Sequence, residues 1–355
     1  MRKKANLKMI RNLVFFILLV IFTFWFIFKD QDINKLIDIV KSADTKYVII
    51  GTVLMFMFYF MEAFNVKSIL KLFNEKVSLL KSLKFTFIGF FFSSITPAAT
   101  GGQPIEIYYM TKENIKGANA TMALLMQLCG YQLSTILIGV LCAIINPSIL
   151  KGGLIWLFLL GLTINGFVLI IMFICIFSQK LTQKLINIII KILKLFKIKK
   201  IDVIKSKIED GLAKYTESSI FIKSHMNEFI KSVIRVFIQV IFYYSVPFCV
   251  YKALGLNTYN YFEIFTMQAV LYTTVSSLPL PGSIGVSETV FLQIFGVAFG
   301  KKLLGGAMLL SRGITFYFYV ILSMIVVIIN AIIMKNIKGE IDTKVSEFEA
   351  LSLEV

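Results

Sequence analysis

Apolar residues in this chain run in long blocks with no sustained polar face, and most of the charge collects in the short stretches between the blocks. The blocks Leu13 to Phe28, Tyr47 to Phe64, Ala120 to Ile145, Leu154 to Phe177, Val233 to Val250 and Gly313 to Met334 approach or exceed the ~17 to 25 residues with which an α-helix crosses a bilayer. A helix that is apolar on all sides belongs in lipid or in a buried core, so six spans are the minimum. Two more apolar segments, Phe85 to Met110 and Tyr261 to Gly300, are broken at their middle by Pro and Gly. The pattern predicts an all-α, polytopic integral membrane protein with six to eight or more transmembrane helices. The membrane domain is expected over residues 1–335, with a short acidic tail over 336–355.

Composition agrees: 57% of the 355 residues are hydrophobic and only 16% are charged, against roughly 25% charged in soluble domains. A formal net charge of +17 would suit a nucleic-acid partner, but here Lys and Arg sit at the ends of apolar blocks, where they mark the cytoplasmic side and attract anionic lipid headgroups. No direct nucleic-acid partner is therefore expected. Cys129, Cys142, Cys175 and Cys249 lie inside apolar blocks without metal-ligand spacing and read as small core residues. His225 is the only histidine, which excludes an imidazole dyad on one chain.

The charged gaps set a topology. Arg2, Lys3, Lys4, Lys8 and Arg11 precede the first block with no acidic residue, which places the N-terminus in the cytoplasm; Lys29 to Lys46, with four Lys against four Asp, belongs outside. The next gap carries Lys67, Lys71, Lys76, Lys81 and Lys84 against Glu75, and the long gap 178–232 carries twelve Lys against five acidic residues; both are expected in the cytoplasm, as are Lys335, Lys338 and the C-terminus. Alternation then requires Phe85 to Met110 to start and end in the cytoplasm, and Tyr261 to Gly300 to start and end outside. Each is read as a hairpin, one entering from each face. In the long gap, Lys180, Lys184, Lys191, Lys194 and Lys197 interleave with Leu181, Leu185, Ile188, Ile189, Ile192 and Leu195 near helical period, as in an interfacial helix.

The two breaks resemble each other. The first reads Ser93-Ser-Ile-Thr-Pro-Ala-Ala-Thr-Gly-Gly-Gln-Pro-Ile-Glu106 and the second Ser276-Ser-Leu-Pro-Leu-Pro-Gly-Ser-Ile-Gly-Val-Ser-Glu288, with a Glu thirteen and twelve residues after the first Ser. Broken backbone at membrane depth is tolerated only where protein or a water-filled cavity satisfies its N–H and C=O groups. Related breaks entering from opposite faces are the pattern of inverted-repeat transporters, whose discontinuous helices meet near the midplane. The helices after Gly102 and Gly285 would offer N–H groups to an anion such as a lipid phosphate. Charge inside a membrane is costly and marks function by default. The candidate substrate-binding residues are Pro97, Gly101, Gly102, Gln103, Glu106, Pro279, Pro281, Gly282, Gly285, Glu288 and Arg312. Arg312 is placed with Glu288 on the cavity, where a guanidinium can grip a phosphate bidentately, or else caps the outer end of the last span. Glu62 is read as snorkelling or pairing with Lys67. No catalytic residue, metal site or cofactor is expected, and no nucleotide-binding P-loop is present.

Pro97 with Gly101-Gly102-Gln103-Pro104, then Pro279-Leu-Pro-Gly-Ser-Ile-Gly-Val-Ser-Glu288, and Ser311-Arg312 together resemble the lysylphosphatidylglycerol synthase transmembrane family, also called the flippase-like domain family, over essentially the whole chain. The resemblance implies a cell-membrane domain that moves aminoacylated phosphatidylglycerol between leaflets. In the family's best-known architecture a separate soluble domain transfers the amino acid from aminoacyl-tRNA. The sequence given ends 21 residues after Met334, too few for such a domain, so the translocating half alone is expected. Three readings remain: translocation of an anionic, aminoacylated or glycosylated lipid; a phosphatidylglycerol lysyltransferase; and a scaffold for a separately encoded lipid-modifying enzyme. Expected partners are membrane lipids, anionic phospholipid above all, and that enzyme. Reporter fusions at Lys116 and Lys302 are expected to fall on opposite sides of the membrane; the same side for both would overturn the topology.

Overall fold

The computed structural model describes residues 33–96, 99–195, 219–276, 278 and 283–333. The predicted span Leu13 to Phe28, the centre of the basic gap, the acidic tail and four candidate site residues, Pro97, Pro279, Pro281 and Gly282, lie outside the described residues. Among those described there is no strand. The helices are α1 (Ile33–Ser42), α2 (Thr45–Leu72), α3 (Leu79–Ser94), α4 (Gly102–Lys112), α5 (Gly117–Ile145), α6 (Leu154–Phe177), α7 (Gln179–Leu195), α8 (Met226–Ala253) and α9 (Tyr261–Val275). The helical stretch Val286–Arg312 is divided by Gly300, whose φ of 65° and ψ of 161° are not helical. It is therefore α10 (286–299) and the start of α11 (301–333), and α11 contains a π-turn at Gly313–Tyr317.

Local chemistry sets several boundaries. Ser78 accepts from the Lys81 N–H at 3.3 Å and caps α3, and Asn260 and Glu263 form a reciprocal capping box that starts α9. Pro104 falls in the first turn of α4, where its missing N–H costs no helical hydrogen bond.

The turns gather at two ends of the bundle. At one end the Asp44 N–H donates to the Ala253 carbonyl (2.8 Å), the Tyr251 and Phe299 rings meet at 5.6 Å, and Ile39 lies against Gly306. At the other, Glu75 accepts from the Lys116 N–H (3.2 Å) and from Asn119 (2.7 Å), Glu113 is gripped by Lys81 and Lys84, and the Ser219 hydroxyl donates to the Ile176 carbonyl (2.6 Å). Partial burial acts to raise the Glu113 carboxyl, but its two lysines outweigh it and hold that carboxyl below the usual range. Helices α2, α5, α6, α8 and α11 run from end to end. The pairs α3–α4 and α9–α10 are hairpins entering from opposite ends, as the charged gaps required, and Lys116 and Lys302 fall at opposite ends.

One feature departs from the sequence expectations. The last span starts just after Gly300, about twelve residues before the apolar block at Gly313, because Lys301 and Lys302 hide its first turns from a count of apolar residues. At 1.5 Å per residue, Arg312 is then ~17 Å along α11, near the middle of a hydrocarbon core about 30 Å thick. It does not cap the outer end of the span. The interfacial reading of the basic gap gains a helix in α7, whose Lys180, Lys184 and Lys191 are exposed.

Close packing at small residues joins the second hairpin to α5 and α6. A Cβ on Gly161 would stand 2.6 Å from the Thr273 and Thr274 carbonyl oxygens, backbone atoms of α9 that cannot turn aside, whereas one on Gly166 would meet nothing within 4 Å. Gly161→Ala is expected to cost about 1–3 kcal/mol and Gly166→Ala to be neutral or slightly stabilising, read as Tm in detergent. Equal Tm values would show that α6 does not press on α9.

Candidate functional site

The hairpin tips meet inside the bundle. Phe91 and Ile95 from the first pack with Ile284 and Phe316 beside the second, and around this contact opens a cavity of about 620 Å³. Breaking α3–α4 and α9–α10 here frees backbone groups, and side chains take them up. In the first tip the Thr96 hydroxyl donates to the Phe92 carbonyl (2.6 Å) and accepts from the Gly101 N–H (2.9 Å). In the second, Asn165 donates to the Thr273 carbonyl (3.0 Å) and the Ser283 hydroxyl to the Val275 carbonyl (3.2 Å), the last carbonyls of α9. Gln132 in turn holds the Asn165 side chain. Among the described residues of each tip, one non-glycine residue lies in the left-handed region, Ala99 and Ser283, both at φ 53°.

Gly102, Gln103, Glu106 and Arg312 line the cavity, and Gly101 caps α4 beside it. Glu288 and Gly285 stand behind Arg312. The Arg312 Nε donates to Glu288 at 2.7 Å, while the other carboxylate oxygen accepts from the Gly285 N–H (2.6 Å) and the Ser287 hydroxyl (2.9 Å). Side-chain exposure of the pair is 13% and 3%. The guanidinium also lies 4.5 Å from the Phe316 ring centre, a cation–π contact that restrains its plane. This changes one expectation: the start of α10 is partly occupied by its own Glu288 carboxylate, so an anion in the cavity would meet Arg312 before that helix end. The pairing follows from chain geometry. Glu288 and Arg312 are each twelve positions from Gly300, and antiparallel arms joined at a turn bring equidistant residues face to face.

Three further groups were not assigned to the site from sequence. Glu62 does not pair with Lys67 but lines the cavity. Its carboxylate accepts from Gln239 at 3.1 Å. Behind it runs a buried chain in which Arg235 donates to Asn65 (3.3 Å), Asn65 to Gln127 (2.6 Å) and Gln127 to Gln239 (2.8 Å). With a guanidinium at one end and a carboxylate at the other, each amide must point its oxygen toward Arg235 and its nitrogen toward Glu62. The third group is aromatic: Tyr59, Tyr131, Tyr243 and Tyr272 form one wall, and Tyr131 donates to Tyr272 at 2.8 Å. A glutamine or asparagine inside an apolar block is the sequence signal that would have pointed to Gln127, Gln132, Asn165 and Gln239.

Glu106 is 4% exposed, and its Oε1 has no hydrogen-bond partner. A Cβ on Gly89 would stand 2.6 Å from its Oε2, so glycine at that position gives the carboxylate its room.

A model of the family described as the lysylphosphatidylglycerol synthase TM region matches residues 13–323, an interval containing both hairpins, Glu62, Glu106, Glu288 and Arg312. The chain is also 22% identical over 320 residues to a UPF0104 membrane protein of Archaeoglobus fulgidus, covering 89% of this chain and 96% of that one.

Removing one partner of a buried ion pair strands the other charge, at about 3–5 kcal/mol. Arg312→Leu is expected to lower the Tm accordingly. The double variant Glu288→Gln, Arg312→Leu should recover much of that loss, since the amide oxygen still accepts from Gly285 and no charge is left buried. A double variant no more stable than the single one would show that the pair is not what holds the arms together.

Proposed function

Because the chain belongs to the lysylphosphatidylglycerol synthase TM-region family, we propose that it carries lipid headgroups between the two leaflets of the membrane. The observation that supports this reading is the cavity at mid-bundle, bounded by hairpins from opposite ends and with a buried arginine on its wall. Moving a lipid between leaflets is slow because its polar headgroup must leave water for hydrocarbon. A cavity of several hundred Å³ lined by amides, hydroxyls and charges replaces that lost hydration while the acyl chains stay in lipid. Arg312 is the contact for a phosphate, being planar and set against Phe316, and the amides and tyrosines around it suit an amino-acyl or glycosyl extension. Two broken repeats of opposite entry supply a way to expose the cavity to each side in turn, by rocking one repeat against the other.

The word synthase in the family description favours a second reading, a phosphatidylglycerol lysyltransferase. The cavity itself offers positioning and charge. Among the described residues, the four cysteines form no disulfide, and His225, 3.0 Å from the Ser224 hydroxyl, is exposed at one end of the bundle; neither His225 nor a cysteine lines the cavity. A chain that synthesises a basic lipid would create it in the lipid extract of any expressing host, and a chain that only translocates would not.

Leaflet exchange tests the first reading. Purified protein is placed in vesicles with fluorescent phosphatidylglycerol or its lysyl form, and a membrane-impermeant quencher reports the outer leaflet. Exchange is expected to be faster than in protein-free vesicles and to fall by roughly tenfold or more in Glu288→Gln and in Arg312→Ala, the loss that follows when a charge-assisted contact is removed. Exchange no faster than in empty vesicles for anionic, aminoacylated and glycosylated lipids alike would overturn the reading.

A further inference from the structure

The charged groups around the cavity are not balanced in the same way. Arg312 is answered by Glu288 at 2.7 Å. Glu62 is reached by the amide chain from Arg235. Glu106 has neither: its Oε1 is without a hydrogen-bond partner, and Glu62, of the same sign, lines the same cavity. The titratable groups on the elements packed around it do not supply the missing charge. Lys81 and Lys84 of α3 are engaged with Glu113. Helix α2 faces the cavity with Glu62 and Tyr59, while its Lys46, Lys67 and Lys71 do not line it, and α5 offers Tyr131 and no Lys, Arg, Asp or Glu along its length. On α4 itself, Lys112 lies at the helix end against the exposed Tyr108, next to Tyr109. The two repeats differ in this respect. The helix after the second hairpin brings Arg312 to the hairpin's glutamate, and the helix after the first brings no cation.

We propose that Glu106, with Glu62 facing the same cavity, binds one small monovalent cation from bulk solution, a proton or Na⁺. A buried carboxylate without a partner is costly, and a second carboxylate in the same cavity adds to that cost. One positive charge at Glu106 removes both penalties. Ca²⁺ and Mg²⁺ take six or more oxygen ligands and Zn²⁺ three or four side-chain ligands, and among the described residues no three of His, Cys, Asp and Glu come together. As a part of the transport reading, this site gives the cavity a variable charge. With the cation bound, the cavity that Glu106 shares with Arg312 is less negative and accepts an anionic headgroup more readily, so cation and headgroup favour each other's binding. The cation site itself does not require that reading.

It is tested on the intact purified protein in detergent, without any transported lipid. Thermal unfolding of wild type and Glu106→Gln is followed against Na⁺ at fixed pH, with choline keeping the ionic strength constant, and separately against pH at fixed salt. A ligand that binds the folded state more tightly than the unfolded one raises Tm as its concentration rises. Wild type is expected to gain a few degrees with added Na⁺ in the sodium case, or as pH falls in the proton case, and Glu106→Gln to lose that dependence. Infrared difference spectra of wild type give a second reading should the variant not fold. A protonated-carboxyl band that disappears as pH rises supports the proton. A shift of the carboxylate bands on adding Na⁺ supports sodium. Wild type indifferent to Na⁺ in both measurements, with no pH-sensitive carboxyl band and a pH dependence of Tm parallel to that of Glu106→Gln, overturns the proposal. Cation dependence without lipid exchange would leave the site standing and remove the transport reading.

Discussion

A peptide group freed from its helix inside a bilayer has no water to bond with, and the arrangement of this bundle follows from that constraint. Both hairpins break at mid-depth. Each break is possible because threonine, serine and asparagine side chains stand where the carbonyls and N–H groups are released: Thr96 in the first tip, Ser283 and Asn165 in the second. Asn165 belongs to α6, which explains why that helix, the most apolar of the full spans, nevertheless carries a fully buried asparagine and a glycine pressed onto α9. Ser283, and Gln132 which holds Asn165, also line the cavity, so part of what keeps the fold intact gives the site its polarity.

The two repeats solve the same backbone problem with different electrostatics. In the second, Glu288 serves three donors and locks α10 to α11 through Arg312. In the first, Glu106 sits against Gly89 with an oxygen unmatched. Repeats that begin alike can diverge in this way because the first tip is capped by the Thr96 hydroxyl without its glutamate, whereas Glu288 itself caps the start of α10. One half of the site is therefore built as a fixed ion pair and the other as a carboxylate held in reserve.

Much of this was legible in the chain. Gaps rich in lysine gave the alternation of ends, and the matching Ser-Pro-Gly-Glu runs located both breaks, because these depend on local composition. Three things were hidden. The depth of Arg312 was obscured by Lys301 and Lys302, which shorten the apparent span although they lie at its turn. Glu62 looked like a residue near a helix end, since its partner Gln239 is 177 positions away. The amide chain draws Asn65, Gln127, Gln239 and Arg235 from three helices, and no spacing along one helix predicts which side chains from the others will meet it.

The Gly300 turn has a consequence for how such chains can vary in length. Because Glu288 and Arg312 face each other at equal distances from it, the two arms act as the two halves of a folded ruler. Lengthening one arm alone by a residue would slide the opposed marks apart and rotate one of them by about 100° around its helix axis. Insertions and deletions between positions 288 and 312 should therefore occur as matched pairs, one on each arm, or be confined to the turn. The spacing of a glutamate and an arginine about a glycine becomes a pattern that can be sought in chains whose other residues have drifted beyond alignment.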